Sequence, residues 1–139
     1  MLYVGLDLSR KRLDFDVLLA DGERLERGAV PPDADGLAAL VRRLGDAHGQ
    51  VLATIESMSG ARFVHDQLEL AGWDVRIADA LKAKGLAPLA CKTDKIDSAV
   101  LAELGRLSLV PEICSAPAAV SCSRGFRCRS RGIPLRGQA

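Results

Sequence analysis

The sequence predicts an α/β domain: a mixed sheet with strand order 3-2-1-4-5 and flanking helices. Three observations carry this. Three strand-like segments open the chain, separated by turn signals. Helical and strand patterns then alternate from residue 33 to about 109. The later strand is apolar almost throughout, as expected of a strand covered on both faces.

Residues 2–8, LYVGLDL, form the first apolar run. The second, residues 13–20, begins with alternation at Leu13, Asp14, Phe15, Asp16 and Val17. Asp21-Gly22 is a hairpin signal leading to a more polar strand near 24–30, which Pro31-Pro32 stops. Asp33 or Asp35 can cap a helix whose apolar positions are Leu37, Leu40, Val41 and Leu44. Residues 50–56, QVLATIE, are the fourth strand. Phe63, Val64, Leu68 and Leu70 mark a second helix ended by Gly72, and residues 73–79 are the fifth strand. Residues 80–85 read as a helical turn and GLAPLACKT as a loop. A last amphipathic helix is expected from Asp94 to about Leu109, with Ile96, Val100, Leu101, Leu104 and Leu107 on one side.

At 139 residues the chain has room for one domain with a core of its own. Its apolar runs fall short of the roughly 20 residues that span a bilayer. No signal-peptide pattern opens it, so a cytoplasmic location and no membrane association are expected. The net charge of +1 hides an uneven split. Residues 1–110 hold 14 of the 19 basic and 17 of the 18 acidic residues, a net of −3. Residues 113–139 carry Arg124, Arg127, Arg129, Arg131 and Arg136 with no carboxylate or lysine. This segment has no periodicity and is rich in Ser, Gly and Pro. It is expected to be an irregular basic tail, disordered or translated from a shifted reading frame; residues 1–112 are the expected domain. Cys91, Cys114, Cys122 and Cys128 form no CxxC pair, which argues against a zinc site.

Four carboxylates carry the chemistry: Asp7, Glu56, Asp94 and Asp97. Taken alone, each is an ordinary strand-end or helix-capping acid. The expected topology changes that reading. Strands one and four become parallel neighbours, so Asp7 and Glu56 emerge at one carboxyl edge, where open α/β sheets bind ligands. A final helix near that edge can add Asp94 and Asp97, three residues apart. Clustered carboxylates do not all ionise without cations, and one or two Mg²⁺ would neutralise them and clamp a phosphodiester. Arg10, Lys11 and Arg12 follow the first acid, and Lys82, Lys84, Lys92 and Lys95 surround the third; these can hold a nucleic-acid backbone. His48, His65, Trp73 and Cys91 have no partners at functional spacing.

The segments GLDLSRKRLDFDVLLADGE, IESMSG and KTDKID resemble the N-terminal RuvC-like domain of DEDD transposases of the insertion-sequence 110 family. The likeness covers about residues 1–112 and rests on three motifs in order. It implies an RNase H-like fold, Asp7, Glu56, Asp94 and Asp97 as catalytic metal ligands, and Mg²⁺. It further implies DNA as substrate, a structured guide RNA and a homo-oligomer. Such transposases add a second domain with a nucleophilic serine; residues 113–139 do not resemble it, so this domain is expected not to complete recombination alone and to be inactive as a transposase by itself. Two rivals remain: a non-catalytic fragment that binds nucleic acid or interferes with intact transposase, and an actin-like ATPase or sugar kinase. The kinase needs a second glycine-rich phosphate loop and an adenosine motif, and the sequence has neither.

Overall fold

The computed structural model describes residues 1–91 and 97–113. Five strands form one sheet: β1 (Leu2–Leu8), β2 (Leu13–Leu18), β3 (Arg24–Val30), β4 (Val51–Glu56) and β5 (Asp74–Ala78). Their order is β3-β2-β1-β4-β5, as the sequence predicts. The β1–β2 and β2–β3 pairs are antiparallel, whereas β4 pairs parallel with β1 and with β5. Gly22 makes the β2–β3 turn at φ 91°, a left-handed conformation that favours glycine.

Period-2 patterning sorts side chains onto the two faces. Leu2, Val4, Leu6, Leu13, Phe15, Val17, Val51, Ala53 and Ile55 share one face and one core cluster. Helix α1 (Ala34–His48) covers that face with Leu37, Leu40 and Leu44, and α2 (Ala61–Leu70) with Ala61, Val64 and Leu68. Asp33 caps α1 by accepting a hydrogen bond from the Gly36 amide at 2.7 Å. Trp73 is buried in the same cluster, in agreement with a packing role.

The opposite face meets α3 (Ala80–Cys91) and α4 (Ser98–Arg106), whose Ala83, Ala87, Val100, Leu101 and Leu104 form a second, smaller cluster with Ala78. Two expectations change here. Residues 86–91 are helical, not loop: Pro88 lies inside α3, and the apolar residues around it gave no helical stripe to read. The last helix begins at Ser98, with Asp97 as its N-cap. Asp94, Lys92, Lys95 and residues 114–139 lie outside the described residues. Among the described residues no helix is long and apolar enough to cross a membrane. Past α4, Glu112 bridges antiparallel to Ala78, and its carboxylate pairs with Arg76 at 3.1 Å.

Candidate active site at the carboxyl edge

The β1–β4 register pairs Leu6 with Ile55, so the next residues, Asp7 and Glu56, stand side by side at the carboxyl ends of parallel strands. Alternation turns both toward the face that α4 covers. Their charges feel each other. Partial burial, and then the neighbouring Asp7, push the Glu56 carboxyl above its ordinary value. Two carboxylates held together in this way are hard oxygen donors that a divalent cation such as Mg²⁺ would satisfy, so the pair fits that metal chemically.

Asp97 approaches the same edge from above. The Ser98 carbonyl sits over Gly5, Gly105 lies over Thr54, and Arg106 reaches the Ala20 carbonyl near the β2–β3 turn. Helix α4 therefore runs from the carboxyl toward the amino end of β1, with Asp97 at its leading end. One Asp97 oxygen accepts from the Val100 amide at 3.0 Å, the ordinary work of an N-cap. Among the described residues, no three His, Cys, Asp or Glu side chains meet in a metal-holding group. Asp7 and Glu56 are thus brought together, and Asp97 lies at the same end of the sheet.

The basic residues separate similarly. Arg10 and Lys11 are exposed in the turn after β1, beside Asp7. Arg12 is also exposed but pairs with Asp14. Lys82 and Lys84 are exposed on the first turns of α3, whose amino end is capped by Asp79 just past β5.

Two acids near the site were not singled out from the sequence. Asp14 stands opposite Asp7 across the β1–β2 pair, on the same face. Asp16, opposite Gly5, is fully buried. It accepts a hydrogen bond from the Ser98 hydroxyl at 2.7 Å, and Arg24 Nε stands 2.9 Å from its other oxygen. The Arg24 contact is ionic: that oxygen, Oδ1, has no hydrogen-bond partner among the described residues. Arg27 lies 3.7 Å from Oδ2. The Asp16–Ser98 bond fastens α4 to the sheet one residue after Asp97. The only signal for it was the alternation that set Asp16 apart from Phe15 and Val17.

Comparison with known proteins gives a family and a fold. A family model described as transposase, for the DEDD enzymes of insertion sequence 110, matches residues 4–119. No curated protein matches. Among solved structures, RuvC from Thermus thermophilus aligns with a TM-score of 0.53 and 11% identity, covering 81% of this chain and 100% of RuvC. A ROK family protein from Streptococcus pneumoniae TIGR4, solved with sucrose, aligns at a TM-score of 0.46 and 17% identity over 64% of this chain. This chain spans 38% of that protein's length. The ROK hexokinase of Thermus thermophilus gives 0.43 at 17% identity, covering 68% of this chain and 39% of its own. The RuvC likeness supports the RNase H-like fold, and the match to residues 4–119 places the chain among the DEDD transposases of the insertion-sequence 110 family.

Proposed function

We propose that this domain is the acidic half of a transposase active site that cuts DNA phosphodiesters with the help of Mg²⁺. The observation carrying the reading is the Asp7–Glu56 pair on adjacent parallel strands, with the Glu56 carboxyl raised by burial and by its neighbour. Asp7 and Glu56 would hold the cation from the sheet, and Asp97, one of whose oxygens caps Val100, would add its other oxygen from the end of α4. The resemblance adds Asp94 as a fourth acid. Bound there, Mg²⁺ would offset negative charge gathering on the phosphate under attack. Arg10 and Lys11 hold the DNA backbone beside Asp7, with Lys82, Lys84, Lys92 and Lys95 as further contacts; Arg12 shares its charge with Asp14.

The resemblance of the three motifs extends this reading to a structured guide RNA and a homo-oligomer, and the sequence, with no signal-peptide pattern, extends it to the cytoplasm. The resemblance also implies that the nucleophilic serine belongs to a second domain, so residues 1–112 do not complete strand transfer by themselves. The test is nicking of DNA by the purified chain in Mg²⁺. Asp7→Asn is expected to lower it by about a hundredfold or more. Nicking unchanged by Asp7→Asn, or strand transfer by residues 1–112 alone, would refute the corresponding claim.

A second reading has one observation in its favour: no three acids among the described residues form a metal-holding group. On that reading the domain binds nucleic acid, or joins intact transposase and interferes with it, without catalysis. DNA binding with no nicking under any divalent cation would select it.

A further inference from the structure

A groove of about 500 Å³ opens at the same sheet edge as the acids. Its walls continue directly from them in the chain: Leu8 and Arg10 follow Asp7, and Met58 and Ser59 follow Glu56. The floor is apolar, with Leu8 and Val64 8% and 1% exposed. The rim is not covered. Phe63 and Met58 remain 44% and 41% exposed, side by side on this one groove. Ala61, Val64 and Leu68 form the buried stripe of α2, and Phe63, which lies off it, faces the groove. Among the described residues, the lining contains one cation, Arg10, and no carboxylate.

An aromatic ring, a thioether and a guanidinium around an apolar hollow match a nucleotide: a flat base to stack and a phosphate to pair. We infer that the groove receives one unstacked base of the DNA strand being cut, stacked on Phe63 beside Met58, with its phosphate on Arg10. The inference rests on the proposed nuclease function for the position of the cut. Leu8 and Asp7 are consecutive on β1 and point to opposite faces, so the strand edge separates base and acids by a single residue. A base withdrawn into the groove leaves its neighbouring phosphodiester at the carboxyl edge, beside Asp7 and Glu56. Extruding a base in this way exposes a backbone that stacking otherwise holds in place.

The test uses the full chain in EDTA, so that binding is read without cleavage. Fluorescence anisotropy compares a short labelled single-stranded DNA with an abasic strand of equal length. Wild type is expected to prefer the strand with bases by about tenfold. Phe63→Ala is expected to lose that preference while binding the abasic strand as before, and Phe63→Tyr to keep it. Arg10→Ala is expected to weaken both strands alike. Equal wild-type affinity for both strands would overturn the inference, as would a preference surviving in Phe63→Ala. A stronger Phe63-dependent preference for RNA of the same sequence would also overturn it. Phe63 is exposed enough that its truncation leaves the core intact, and thermal melting checks this. Base preference without Mg²⁺-dependent nicking would support the groove and sink the nuclease reading; nicking without base preference would do the reverse.

Discussion

The two faces of the sheet are held by different physics. Under α1 and α2, large apolar side chains such as Phe15, Leu40, Leu44 and Leu68 interdigitate in one cluster. Under α4, contact depends on missing side chains. Gly5 lies against the Ser98 carbonyl and Ala102 amide, Gly105 against Thr54, and a buried carboxylate, Asp16, reaches up to Ser98. The first face gains stability in proportion to the area it buries, and equivalent hydrophobic residues can share that work. The second face permits essentially one seating of α4, because backbone meets backbone there. The helix so seated carries Asp97 toward Asp7 and Glu56. The generic face supplies stability, and the glycine face sets the geometry of the site.

The largest test of this contrast is Gly5→Ala. A Cβ at Gly5 would overlap the Ser98 carbonyl and the Ala102 amide, and neither is a flexible side-chain end. The expected cost is about 3 kcal/mol or more in urea unfolding; a cost below about 1 kcal/mol would break the account of this face. On the other face, truncating the fully buried Leu40 to Ala should also cost about 3 kcal/mol. Leu40→Met should cost less than about 1.5 kcal/mol, because that face accepts another residue of similar volume. A one-methyl addition on the glycine face thus outweighs a like-sized swap on the apolar one.

Ser98→Ala sharpens the comparison at smaller scale. It removes the hydroxyl that Asp16 accepts from, and the expected cost is about 1 kcal/mol. Arg24 remains beside the carboxylate to limit the loss. The smallest effect is electrostatic. Glu56 is raised in the folded protein, so the folded state keeps its proton to higher pH than the unfolded chain does. Stability therefore falls as pH rises from the ordinary value of 4.5 through the raised one, and the penalty persists above it. Without metal, Glu56→Gln should melt slightly above wild type at neutral pH, and the gap should close below the ordinary value. A gap that widens on acidification would contradict the sign of this coupling.

The parts of the fold legible in sequence were those set by local pattern. Alternation at Leu13, Phe15 and Val17 identified the apolar face of β2, and the β-β-β-α-β order led to the observed sheet. Asp7 and Glu56 were legible because strand ends and parallel pairing are enough to make them neighbours. What depended on a partner was not. Asp16 sits at a polar position of an alternating strand, and only α4 makes that position a buried one. Phe63 stands one residue from Val64 and five from Leu68, so it lies off the face that those two share four apart, and it stays outward. Residues 85–93, GLAPLACKT, read as a loop because α3 shows no apolar stripe, while packing of Ala83 and Ala87 against α4 holds the described part of the helix together.

The central claim is that Asp7 and Glu56 are paired to hold a divalent cation, and calorimetric titration of the full chain with Mg²⁺ tests it most directly. Saturable binding by wild type, lost in both Asp7→Asn and Glu56→Gln while the variants remain folded, is the predicted result. Binding of equal strength in wild type and Asp7→Asn, or none in wild type, would contradict it.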